Sequence, residues 1–389
     1  MPCLSRWLLA LLAVAGASLA MLSSSSGQEA TRLRDDLFTS GKVRQMTFEI
    51  PNKELDSLRR DPRKYVPVTL KVDTTTFKSV GLKLKGAAGS FRGIDDKPGL
   101  TVNMDKFGIE KRFHGMNKWH LANSVQDPSY VSELVCGELF REAGVPAARI
   151  AHAIVTINGR SRGLYYLKEG YDKGFRKQHF GMTTGNFYDG GFLRDIDQPL
   201  HLLAGAMDVK EHKDLKALVA ASREPKLDVR FKKLEQLLEL DRFITFLCLE
   251  VITWDWDGYP MKCNNYRIHH DPKRNKITFL PSGMDQMFGD PNGPLFPHFE
   301  GMVARGLLET PEGKARYLRR MDELLNKVFL VEKLKKRLKE LEKQIQPALA
   351  SVDAGAGRDY PNQVRRLTDA IEQRSRHLKN ELARATKRP

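Results

Sequence analysis

A chain of 389 residues has room for one large domain or two modest ones with a real core, and its 41% apolar fraction is ordinary for a soluble globular protein. The formal net charge of +16 favours an anionic partner such as a nucleotide, a phosphorylated product, an acidic surface polymer or membrane headgroups; the cations are spread along the chain without the aromatic interleaving that specific nucleic-acid binding needs. Past the N-terminus nothing is apolar for long enough to span a bilayer, and Cys136, Cys248 and Cys263, odd in number and irregular in spacing, exclude a disulfide framework and a zinc site.

The first element is a targeting segment. Arg6 supplies a positive start, residues 7–22 are apolar, and Ser18-Leu19-Ala20 fits a small-residue cleavage site better than Gln28-Glu29-Ala30. The run is short for a span and the polar Ser23–Ser26 tract follows it, which weighs against an uncleaved anchor. The pattern predicts a signal peptide within residues 1–30 and export to the periplasm, the cell surface or the medium, with no membrane span in the mature chain. Residues 31–44 are polar and charged, and read as a linker.

A strand-rich stretch follows. Met46–Ile50, Val66–Val72, Val80–Lys85 and Leu100–Met104 read as strands, with Gly86–Asp96 as a glycine-containing loop. Asp127-Pro128 is a helix start, and Val131, Leu134, Val135 and Leu139 then share one face until Gly144 and Pro146. Ala151–Ile157 and Gly163–Leu167 flank Asn158-Gly159, a hairpin turn. From about 226 the pattern turns helical, over Phe231–Leu240 and Asp241–Thr253. The polar loop Trp254–Asn264 comes next, then strands Tyr266–His269 and Lys276–Leu280 around Asp271–Asn275. Residues 309–346 and 361–386 read as helices, with the stretch from 346 to 389 a C-terminal tail. Cys136 and Cys248 fall inside apolar helical patterns, as core residues, and Cys263 is expected to be partly exposed. His269-His270 reads as a surface pair. The layout predicts an α+β protein of two lobes, a β-rich one over about 45–170 and an α-rich one over about 171–345, with a cleft between them.

The chemistry concentrates around the second hairpin. Asp257 precedes Asn265 by eight positions, Asn265 opens one strand, and Asp285 follows the other. Antiparallel strands bring their outer ends together, so two carboxylates and an amide oxygen can form a hard-oxygen site suited to Mg²⁺ and phosphate. Taken singly, each is an ordinary turn residue; the ordered set around a hairpin has the chain order of a protein kinase's catalytic Asp, metal-binding Asn and metal-binding Asp. Toward the front, Gly86, Gly89, Ser90 and Arg92 lie in a loop whose backbone N–H groups can cradle phosphate. Lys97 enters the next strand within reach of a phosphate. Glu133 lies on the following helix, either orienting that lysine or solvated, and Glu169 ends the hairpin where a hinge would sit. No Walker-type phosphate loop, HExxH or G-x-S-x-G is present.

At these residues the chain resembles the CotH family, the spore-coat-protein-H type of atypical kinase. The resemblance covers about residues 45–345 and rests on LKLKGAAGSFRG with DDKPGLTVNMDKF (82–107), FHGMNKWHLANSVQDPSYVSELVCGELFREAGVPAAR (113–149), NGRSRGLYYLKEGYDKGF (158–175), GNFYDGGF (185–192), WDGYPMKCNNYRIHHDP (256–272) and FLPSGMDQMFG (279–289). It implies a fold similar to a protein kinase with a reduced N-lobe, ATP and Mg²⁺ (or Mn²⁺) as cofactors, and phosphorylation of Ser or Thr in exported proteins. It places Asp257 as catalytic Asp, Asn265 and Asp285 as metal ligands, and Lys97 and Glu133 at the nucleotide. The usual family form near Trp-Asp-Leu-Asp is here Gly-Met-Asp-Gln, so Asp285 stands alone; Asp255 either compensates or caps a loop. Two other functions remain open at this point: a non-catalytic coat or surface module on the same fold, and an ATP-dependent transfer of AMP or an amino acid.

Overall fold

The computed structural model describes residue 29 and residues 31–108, 112–205 and 212–387. The expected leader lies outside these residues, apart from Glu29. The α+β class holds, but the β-rich front is a closed barrel and not an open, reduced sheet. Seven strands form it: β1 (Arg44–Glu49), β2 (Val66–Val72), β3 (Thr75–Lys85), β4 (Gly99–Asn103), β5 (Lys118–Ala122), β6 (Ile150–Ile157) and β7 (Arg160–Glu169). Their order is β1-β2-β3-β4-β5-β7-β6, and β1 closes the circle by pairing parallel to β6. Alternation decides which side chains enter. Leu82, Leu84, Leu100, Val102, Trp119, Leu121, Tyr165 and Leu167 fill the interior. Their sequence neighbours Lys83, Lys85, Thr101, His120 and Lys168 therefore point outward, toward the rest of the molecule.

Helix α1 (Asn52–Arg60) joins β1 to β2, and α2 (Ser132–Glu142) joins β5 to β6. Asp127 caps α2 from outside the helix. Its carboxylate accepts from the Ser132 amide at 3.1 Å and the Ser129 amide at 3.0 Å, so the helix starts at Ser132 and not at Pro128. Residues 31–39, expected as a linker, are helical and docked, with Arg34 and Leu37 buried.

The second half begins with α3 (Lys173–Phe180). A four-stranded antiparallel sheet has the order β11-β10-β8-β9, built from β8 (Asn186–Asp189), β9 (His201–Ala204), β10 (Tyr266–Asp271) and β11 (Lys276–Pro281). Around it lie α4 (Lys213–Ser222), α5 (Leu227–Leu237), α6 (Leu240–Ile252), the single turn α7 (Tyr259–Lys262), α8 (Met302–Leu308) and α9 (Pro311–Lys327). The chain ends in a hairpin of two long helices, α10 (Val331–Val352) and α11 (Ala354–Lys387). One continuous apolar core runs from α2 through α6 and β11 to α11. Cys263 is buried like Cys136 and Cys248. His269 is not a surface residue: it stacks on Phe180 with ring centroids 3.9 Å apart, because β10 is an inner strand. Among the described residues no helix is long and apolar enough to cross a membrane.

Candidate active site

The outward face of the barrel carries a band of cations. Register sets Lys83 opposite Thr101, Thr101 opposite His120, and His120 opposite Lys168. Thr101 Oγ1 meets His120 Nδ1 at 3.1 Å. Burial, and then the neighbouring Lys85, Lys118, Lys168 and Arg267, push His120 well below the ordinary histidine range, so it is neutral. Burial lowers the Lys85 ammonium to about 8; Lys168 adds to the effect, while Glu133 and Asp285 oppose it.

Glu133, in the first turn of α2, forms a buried ion pair with Lys168 of β7. The pair expected for Glu133 was with Lys97. Lys97 Nζ instead reaches Tyr130 Oη at 2.9 Å and lies over the Tyr130 and Tyr165 rings. Glu169 also faces away: next to Lys168 on a strand, it must point to the opposite side. There its carboxylate is taken by Arg149 at 2.8 Å and Arg34 at 3.4 Å. Lys85, His120 and Lys168 were passed over in the sequence; the alternation of KLK, KWHLA and YYLKE is the signal that points them outward.

Across from this band lie the hairpin residues. Asn265 Nδ2 donates to Asp257 Oδ2 at 2.9 Å, and Asn264 Nδ2 donates to the same oxygen at 3.1 Å. The Ser282 amide donates to the Asn265 carbonyl at 2.8 Å, tying the two strand ends together. Gly283 has φ +69°, and a Cβ there would lie 2.6 Å from Asn265 Oδ1. The missing side chain is what lets the Asn265 amide sit over the strand leading to Asp285. Burial and the carboxylates of Glu133 and Asp127 raise Asp285 to about 7, outweighing Lys168 and Lys85. Burial also raises Asp257, while Asn264 and Asn265 draw it back.

Ala88 of the glycine-rich loop, Gln126, Asp257 and Gln286 line one cleft of about 920 Å³. Gly86 and Gly89 hold the loop's shape, with φ +114° and +81°; a Cβ on Gly89 would lie 2.7 Å from Gln126 Nε2. Ser90 Oγ accepts from the Ala87 amide at 3.3 Å. Arg92 is spent inside the loop, on the Gly89 carbonyl at 3.0 Å and the Phe91 carbonyl at 2.8 Å.

Asp255 does not cap a loop. It is buried beside Glu250, and burial of the two carboxyls together raises both well above the ordinary range. Gly258 makes room for them, since a Cβ there would lie 1.9 Å from Glu250 Oε2. Among the described residues no three His, Cys, Asp or Glu side chains converge to hold a metal by themselves. Asp285 and the Asn265 amide oxygen are hard oxygen donors of the kind that Mg²⁺ takes together with water and phosphate oxygens.

The outward cationic band, the Glu133–Lys168 pair and Asp285 thus form one electrostatically connected group. The chain belongs to the CotH kinase protein family, whose profile matches residues 82–378. It is similar to the inner spore coat protein H of Bacillus subtilis, at 22% identity over 70% of this chain and 80% of that one. It is also similar to the invasin CotH2 of Rhizopus delemar, at 23% over 55% of this chain and 41% of that one, so it spans less than half of that relative. The Helicobacter pylori proinflammatory kinase CtkA superposes with a TM-score of 0.33 at 8% identity, over 78% of this chain and 98% of that one.

Proposed function

We propose that this protein is an exported, ATP- and Mg²⁺-dependent protein kinase that phosphorylates Ser or Thr of secreted or surface proteins. The observation that carries the reading is the buried Glu133–Lys168 pair within electrostatic reach of Asp285, with Asp257, on the cleft, bonded to Asn265. Buried carboxylates and lysines this close are costly unless they serve a charged ligand.

In this reading the two halves are kinase lobes. Lys168, oriented by Glu133, holds the α- and β-phosphates, with Lys85 beside it. Backbone amides of Gly86–Gly93 cover them. Asp285 and Asn265 would hold Mg²⁺, which would supply charge neutralisation for the phosphates. Asp257 accepts the proton of the acceptor hydroxyl; its two asparagine donors fix its orientation, and its raised pKa makes it a better base. The acceptor enters past Phe192 and Trp256, exposed apolar residues on the same cleft. Export rests on the leader pattern of residues 1–30.

The test is incubation of the purified mature chain with Mg²⁺, a generic acceptor and ATP labelled at the γ or the α position. Label passing from γ alone is the expected result. Transfer from α identifies a nucleotidyl transferase, and neither transfer nor nucleotide binding identifies a non-catalytic module.

A further inference from the structure

Helix α11 buries an apolar stripe, Val364, Leu367, Ile371, Leu378 and Leu382. The spacing calls for another apolar side chain at 374. The residue there is an arginine, and it is fully buried. It forms no salt bridge among the described residues, and burial lowers its guanidinium to about 10, opposed by Tyr317 and by Asp290, which lies beyond salt-bridge distance. A buried cation without a carboxylate costs stability that an apolar residue of similar length would not.

Backbone carbonyls satisfy the guanidinium instead, and they come from two separate segments. Nη2 donates to Val251 at 2.6 Å and Nε to Ile252 at 3.3 Å, the last carbonyls of α6. Nη1 donates to the Gly293 carbonyl. The guanidinium also lies 5.0 Å from the centroid of the Trp254 ring. Trp254 has the left-handed backbone, φ +49°, that a bulky residue adopts only when held. Its other neighbour is Gly293, where a Cβ would lie 2.2 Å from the ring. The Phe288 amide, donating to the Thr253 carbonyl at 2.8 Å, laces the same two segments together again. One segment leads from Trp254 to Asp257; the other follows directly from Asp285.

We propose that Arg374 is a positioning residue: a pin from the C-terminal helix that holds the loop bearing Asp257 in register with the loop bearing Asp285. Its consequence for phosphate transfer rests on the kinase reading above; the pinning itself does not.

The experiment compares Arg374→Met, Arg374→Lys and, as a control in the same stripe, Leu378→Ala. The readouts are thermal stability, amide hydrogen exchange, and kcat with KM for Mg²⁺-ATP. Arg374→Met is expected to speed exchange at 253–264 and 283–293, and to lower kcat by about 10²-fold with a much smaller change in KM, as for a misplacement near 1 Å. Arg374→Lys is expected to recover part of kcat. Leu378→Ala is expected to lower stability while leaving kcat of the folded protein within about twofold. If Arg374→Met leaves exchange in both loops and kcat at parental values, or alters them no more than Leu378→Ala does, Arg374 is a core residue only and the pin is wrong. A parent that transfers nothing fails the kinase reading instead. The exchange pattern alone then decides: faster exchange confined to the two loops supports the pin, and its absence overturns it.

Discussion

Asp257 and Asp285 are both raised by burial, yet they should fail differently. On the kinase reading Asp285→Asn removes the anionic metal donor, so Mg²⁺-ATP affinity and turnover should fall together. Asp257→Asn removes only the proton acceptor, and the rate should drop about 10²–10⁴-fold with affinity nearly kept. Calorimetry beside phosphate transfer checks both. Equal loss of affinity in the two variants would mean that the roles are misassigned. Asp285 also gives a pH signature. Its folded value of about 7 lies above the ordinary 3.8, so over that window the metal-free folded chain keeps a proton that the unfolded chain has released. Stability from this group is therefore greatest below pH 4 and is lost as pH rises toward 7. In EDTA, Asp285→Asn should be more stable than the parent at pH 8, by about 1–3 kcal/mol, and the gap should close toward pH 4. Urea unfolding at the two pH values tests this; a variant less stable than the parent at pH 8 contradicts it. At this scale the nearness of Asn265 to Asp257 was legible, because the hairpin follows them in the chain. The lysine was not. Lys97 follows the glycine loop directly, but Pro98 and Gly99 come next, and its side chain goes to Tyr130. Lys168 reaches Glu133 from another strand, a pairing that only register creates. Lys168→Met should abolish Mg²⁺-ATP binding by calorimetry, while Lys97→Met should leave it within about threefold.

Among the elements, local signals found what they could. Asn158-Gly159 and Asp271–Asn275 gave two hairpins whose strands pair as expected. Strand β5 is hard to see in the sequence because five residues with only two large apolar side chains, Trp119 and Leu121, make a weak alternation. The start of α2 was misplaced for a physical reason. Asp127-Pro128 has the chemistry of an N-terminus, but the Asp127 carboxylate, shared with the Tyr166 hydroxyl, reaches the Ser132 amide across a loop. The helix then begins five residues on, and that shift puts Glu133 in the first turn, against Lys168. Barrel closure was invisible because β1 meets β6 across roughly a hundred residues, and no local pattern encodes such a pairing.

For the whole molecule, the stretch after 346 is not a tail. Helix α10 packs on β6 and β7, and α11 packs on α6 and α9, so the hairpin spans both halves. Arg337 pairs with Glu138 at 2.7 Å and Lys333 with Glu142 at 2.6 Å, fastening α10 to the helix that carries Glu133. These partly exposed pairs contribute little each, about 0–1 kcal/mol. The apolar stripe of α11 matters far more, since each buried leucine or isoleucine is worth about 1.5–3 kcal/mol. A chain ending at residue 353 should therefore lose its cooperative unfolding transition in calorimetry; retention of a parental transition would show that the hairpin is dispensable.

The parallel pairing of β1 with β6 also sets an order of events. Arg44 lies opposite Ala153, so β1 has a bare edge until the chain is complete through β6. Closing a loop of that length costs entropy before any reward, which makes it a slow step. The barrel cannot be finished early from the N-terminal end. Helix α2, lying between β5 and β6, packs on β6 and α6. Its Glu133 pairs with Lys168 of β7, so a chain folded no further than β6 lacks that pair.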